Sequence, residues 1–207
     1  MATFNINNIQ FDYNSKIIIS YLLLSLIAWF LNTISHGKTN KLLFSSYRSS
    51  PLNPLSYVRL FTHSIGHENW DHFVGNFLYI LLVGPMIEEK YGSVNLLIML
   101  LITSLVIAIF NLLFTKYMIL GASGNVYMLI VLSSFSNITD GKIPLTVLLI
   151  LIFYVISEVK KKIITNKKDK SYHDGHLLGA LCGIIFGIFF LNHNNFLDII
   201  NLAQMKR

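Results

Sequence analysis

Gly121-Ala122-Ser123-Gly124 places a serine hydroxyl among small residues in the middle of a strongly apolar chain. Nothing bulky shields it, and the residues that follow read as the start of a helix. A serine alone is a weak nucleophile, so chemistry here needs a base and a site for a developing oxyanion, both supplied by other segments. His176 is the candidate base. His72 and Asn76 are the candidates for the oxyanion: four residues apart, they lie about 40° apart around a helix axis and can project inward from one turn. Taken alone, that pair would serve equally well as a polar seam between two helices.

The stretch His67-Glu68-Asn69-Trp70-Asp71-His72 invites comparison with a zinc-protease motif. That motif needs its histidines at i and i+4 on one helical face. Here they are five apart and would point about 140° away from each other on one helix, a poor chelating geometry. A HExxH zinc site is therefore disfavoured, and no metal or other cofactor is implied. A metal-handling protein using His63, His67, His72, His173 and His176 is the weaker reading, because a serine–histidine pair needs no metal.

The elements that must position these groups are membrane helices. The chain of 207 residues is 54% hydrophobic and 13% charged, with a mean hydropathy of +0.59, far from the balance of a soluble domain. Six helices are expected, over about residues 16–35, 72–87, 94–114, 123–136, 143–159 and 175–192, all within a single membrane domain spanning residues 1–207. Several fall short of the ~20 residues that cross a bilayer core of ~30 Å, so they must extend into their flanks or sit inside the bundle. Irregular backbone around 116–124 is tolerable at membrane depth only inside protein or beside trapped water.

Residues 1–15 lack Lys and Arg, and no small-residue cleavage site follows the first apolar run, so that run is expected to remain as a helix. The single cysteine, Cys182, excludes an intrachain disulfide and reads as a buried small hydrophobe. The segments 37–71 and 160–173 are the two long interruptions, and neither is large enough for a separate domain. The formal charge of +6 is spread over interhelical loops, which favours anionic lipid over nucleic acid as a partner. Gly175, Gly179, Gly183 and Gly187 recur every four residues, a stripe that lets a neighbouring backbone approach closely. His176 adjoins its first member. If that helix packs on the one that starts near Gly124, His176 comes within reach of Ser123. Asp174 is two residues from His176 and would face away from it, so it takes no catalytic role.

Together these residues resemble the rhomboid family of intramembrane serine proteases, from about Val58 to Gly187. The resemblance rests on Arg59-Leu60-Phe61-Thr62-His63; on His67, His72 and Asn76; on Gly84, Glu88 and Gly92 at intervals of four; on Gly121-Ala122-Ser123-Gly124 with Tyr127; and on His176-Leu177-Leu178-Gly179 with Gly183. It implies a six-helix bundle with a long, partly membrane-embedded first loop. Ser123 would be the nucleophile and His176 the general base and acid. The Ser123 backbone N–H with His72 and Asn76 would hold the oxyanion, and Tyr127 would pack on the His176 ring. Gly121, Gly124 and Gly179 would support the site. The implied substrates are transmembrane segments of single-span proteins in a bacterial plasma membrane, with lateral access past the fifth helix. Arg59 and Glu88 match structural positions of the family. Val58 and Asn125 depart from its usual residues without removing a catalytic group.

The family's usual topology has a cytoplasmic N-terminus. It puts Lys38, Lys41, Arg48, Arg59, Lys116 and the six lysines between 160 and 170 outside, and only Lys16, Lys90, Lys142, Lys206 and Arg207 inside. That runs against the positive-inside tendency. The competing functional reading is a catalytically silent rhomboid-like protein that binds or retains membrane clients; retention of Ser123, His176, His72 and Asn76 argues against it.

Overall fold

A computed structural model of the chain describes residues 4–6, 9–11, 13–135 and 173–191, together with single positions at 152, 156 and 163. Apart from those single positions, the expected helix over 143–159 and the 160–173 interruption up to His173 lie outside the described residues. The regular elements among them are helices and a short antiparallel pair, β1 (Phe4–Ile6) and β2 (Ile9–Phe11), which the all-α reading did not include. The helices are α1 (Lys16–Ile34), α2 (Lys38–Leu43), α3 (Leu55–Thr62), α4 (Trp70–Tyr91), α5 (Ser93–Phe114), α6 (Ser123–Phe135) and α7 (His173–Leu191).

α1, α5 and α7 are long and apolar enough to cross a membrane, and α6 is a shorter apolar helix. α4 is as long as α5, but Asp71, His72 and Asn76 make its first turns polar. The chain is an integral membrane protein. Its outward residues fit lipid: Leu24, Ile27, Phe30 and Ile34 on α1, and Leu113 and Phe114 on α5, are exposed. α6 is instead enclosed, with Met128, Leu129, Val131 and Leu132 at most 1% exposed. It is the central helix and packs against α4 and α5 and, through the glycine stripe, against α7.

The stripe explains how closely α6 and α7 approach. A Cβ at Gly179 would lie 2.1 Å from the Gly124 carbonyl oxygen, and one at Gly183 would lie 2.6 Å from the Met128 oxygen. Both positions therefore meet backbone, which cannot move aside. Gly175, by contrast, meets only the Ile107 side chain of α5 at ordinary contact distance.

The interruption at 37–71 is ordered by α2 and α3 and by hydrogen bonds to α5 and the segment before α6. Ser46 and Ile119 exchange backbone hydrogen bonds of 2.9 and 3.0 Å, and the Asn111 side-chain amide donates to the carbonyls of Ser46 and Tyr117. The Gly121 N–H donates to the His63 carbonyl at 2.9 Å. The first loop thus fixes the irregular stretch that leads into Ser123.

Candidate active site

α4 starts two residues before the expected boundary, because the Asn69 side chain accepts a hydrogen bond from the His72 N–H at 2.8 Å and caps the helix. His72 therefore stands in the first turn of α4 and Asn76 one turn on. The His72 ring lies against Gly121: a Cβ there would sit 2.7 Å from His72 Cε1 and 2.8 Å from Nε2. Gly121 also has φ +122°, so both its backbone conformation and its contact with imidazole require glycine.

Ser123 is the first residue of α6, where backbone N–H groups have no acceptor within the helix and the dipole favours negative charge. Gly124 follows it and touches Gly179 on α7. His176 lies one turn before Gly179, so the glycine contact that sets the helix spacing also brings the imidazole to the serine. His176 Nε2 is 2.9 Å from Ser123 Oγ. The Tyr127 ring packs on the imidazole at a centroid distance of 4.3 Å and an angle of 44°, and the His173 ring meets it edge-on at 5.8 Å.

Asn76 is buried, and its Nδ2 has no hydrogen-bond partner. An orphaned buried donor costs about 1–3 kcal/mol, which an acceptor arriving from elsewhere would recover. The structure thus brings Ser123, His176 and Tyr127 into contact, sets His72 against Gly121, and leaves Asn76 with an open donor one turn along α4.

Several groups around the site were not read from the sequence as part of it. A cavity beside Ser123 is lined by His63, Ser64, Ser104, Leu120 and Asn125 among others. His63 Nε2–H donates to the Ser104 carbonyl at 3.0 Å. Asn125 Nδ2 donates to the Tyr21 hydroxyl and to Ser104 Oγ, and the Tyr21 hydroxyl donates to the Ser64 carbonyl. Asn125, read from the sequence as a departure, thereby ties α6 to α1 and α5 directly below the serine. Its Asn identity was the available signal, since an amide within an apolar helix must find partners. Burial pushes the His63 imidazole down to about 4 despite the Ser104 carbonyl. Burial, with the neighbouring His72, pushes His67 down to about 3. Both are neutral at physiological pH. Among the described residues, no three His, Cys, Asp or Glu side chains converge on a point that could hold a metal.

The family model for the Rhomboid domain matches residues 54–193. A comparison with curated proteins finds no match.

Proposed function

The chain belongs to the rhomboid family, and on that premise we propose that it is an intramembrane serine endopeptidase cleaving transmembrane segments of single-span membrane proteins with a Ser123–His176 dyad. The family consists mostly of intramembrane serine proteases and includes inactive members. The observation that carries the active reading is the 2.9 Å approach of His176 Nε2 to Ser123 Oγ, a base within hydrogen-bond reach of its nucleophile.

In this reading Ser123 Oγ attacks the scissile carbonyl carbon while His176 Nε2 takes its proton. The carbonyl oxygen becomes an oxyanion that accepts hydrogen bonds from the Ser123 N–H and from the side chains of His72 and Asn76. His176 then gives its proton to the leaving amine, and the new N-terminus departs. A water molecule, deprotonated by His176, attacks the acyl ester; the ester bond breaks, Ser123 regains its proton, and the acid product leaves. Tyr127 holds the plane of the imidazole, the positioning that a third carboxylate supplies in a triad. Oxyanion donors act strongly at such a site because little water competes with them. Attack requires an extended backbone, so substrate helices unwind at the cleavage point, favouring segments with helix-weakening residues. The membrane assigned to the protein is a bacterial plasma membrane.

The alternative, a silent client-binding protein, gives no use to the serine–histidine contact or to the open Asn76 donor. The test is treatment of the folded protein with a fluorophosphonate and mapping of the adduct by mass spectrometry. A stoichiometric adduct on Ser123, lost in His176→Ala, is the expected result. A folded protein that stays unmodified, or is modified at another hydroxyl, would move the assignment to the silent reading.

A further inference from the structure

The first loop encloses a cavity of about 350 Å³ on the Ser123 end of the bundle, lined by Tyr47, Arg48, Ser49, Ser56, Tyr57, Arg59 and neighbouring residues. Among the described residues, no carboxylate lines it. Arg59 is 2% exposed, and among the described residues every partner of its guanidinium is neutral. Nη1 donates to the Leu42 carbonyl and the Tyr47 hydroxyl, and Nη2 to Ser49 Oγ and Ser56 Oγ. The group also stacks over the Tyr47 ring at 4.3 Å. Its Nε is buried with no acceptor. Arg48 adds a second guanidinium at the rim, where Nε and Nη2 each donate at 2.7 Å to the Leu112 and Leu113 carbonyls that end α5.

A buried cation satisfied only by neutral oxygens keeps much of its desolvation penalty, which an anion beside it would offset. The walls say which anion. Tyr57 of the lining is exposed, as are Leu52 at 92% and Val58 on the same loop and Leu113 and Phe114 at the end of α5, apolar surface suited to acyl chains at the membrane interface. We propose that this cavity is a binding site for the phosphate headgroup of an anionic phospholipid, held between Arg48 and Arg59 with its acyl chains along Leu52 and the end of α5. Because the Ser46–Ile119 bridge joins this loop to the segment before Ser123, an occupied site braces that segment.

The test is thermal unfolding of the delipidated full chain in neutral detergent, titrated with dihexanoyl phosphatidylglycerol, dihexanoyl phosphatidylcholine or inorganic phosphate. Phosphatidylglycerol is expected to raise the unfolding temperature saturably, with little response to the other two. Arg48→Gln is expected to weaken the apparent affinity about fivefold or more. Ser49→Asp keeps the fold by giving Arg59 an internal carboxylate, and it is expected to abolish the response. Lys90→Gln, at the opposite end of the bundle, is expected to leave it unchanged. An equal response to phosphatidylcholine, an equal response to phosphate at the same concentration, or a wild-type titration in both Arg48→Gln and Ser49→Asp would overturn the proposal.

Discussion

At one end of the bundle the Glu88 carboxylate is 5% exposed and receives hydrogen bonds from the Ser15 and Ser93 hydroxyls and the Ile17 and Ile18 amides. At the other end Asn76, on the same helix and 7% exposed, keeps an Nδ2 with no acceptor. Both are polar groups placed in an apolar bundle, where an unmatched polar group is expensive. Glu88 is matched from two elements: it caps the first turn of α1, which has no side-chain cap of its own, and ties that turn to the start of α5. Asn76, one turn beyond His72 on α4, keeps its donor open. Saturation marks Glu88 as a residue that holds the fold, and the open donor of Asn76 is the one that the proposed oxyanion role would use.

That contrast is broken most severely by changing Asn76. Asn76→Ala is expected to lower the cleavage rate by about 10²–10³, the usual effect of losing one oxyanion donor. Its unfolding temperature is expected to hold or rise, because the substitution removes an orphaned donor. A rate unchanged in proteoliposomes would remove Asn76 from the site. Glu88→Gln is expected to behave in the opposite way, losing about 1–3 kcal/mol of stability as charge-assisted hydrogen bonds weaken. Cleavage per folded molecule is expected to stay near wild type. Denaturation curves paired with activity at a temperature where both proteins are folded separate the two outcomes.

A smaller effect concerns the two buried histidines of the first loop. His63 and His67 are pushed down to about 4 and about 3 in the folded protein, whereas the unfolded chain takes up protons near 6.5. The unfolded state therefore binds more protons between these limits, so stability is fully present above about 6.5 and falls as the pH drops below it. Each group contributes at most about 1.4 kcal/mol per pH unit in that window. Unfolding temperatures measured from pH 8 to pH 5 should be flat at first and then decline, and His63→Gln should flatten the decline. A profile indifferent to pH down to 5 would contradict the burial of these rings.

The legibility of the molecule in its sequence follows the range of the interactions involved. α5, observed over Ser93–Phe114, could be read from an uncharged apolar run. The start of α6 at Ser123 could be read from a small-residue motif after an irregular stretch, and the approach of α7 from glycines every four residues. These are local or periodic signals. The Glu88 cap joins residues about 70 positions apart, and Arg48 reaches the end of α5 across 64 and 65 positions. Asn125 meets the Tyr21 hydroxyl across 104 positions. No periodicity encodes such pairings, which is why Asn125 read only as an unusual residue and the first loop only as an interruption. The two-residue error at the start of α4 was avoidable, since Asn69 is a strong capping residue.

The central claim is that Ser123 and His176 form a working dyad. Its most direct test is cleavage of a single-span model substrate in liposomes, with chelator present, by wild-type protein and by Ser123→Ala side by side. Cleavage by wild type that falls to background in Ser123→Ala is the predicted result. Equal cleavage by both proteins, or none by a folded wild type across several substrates, would contradict it.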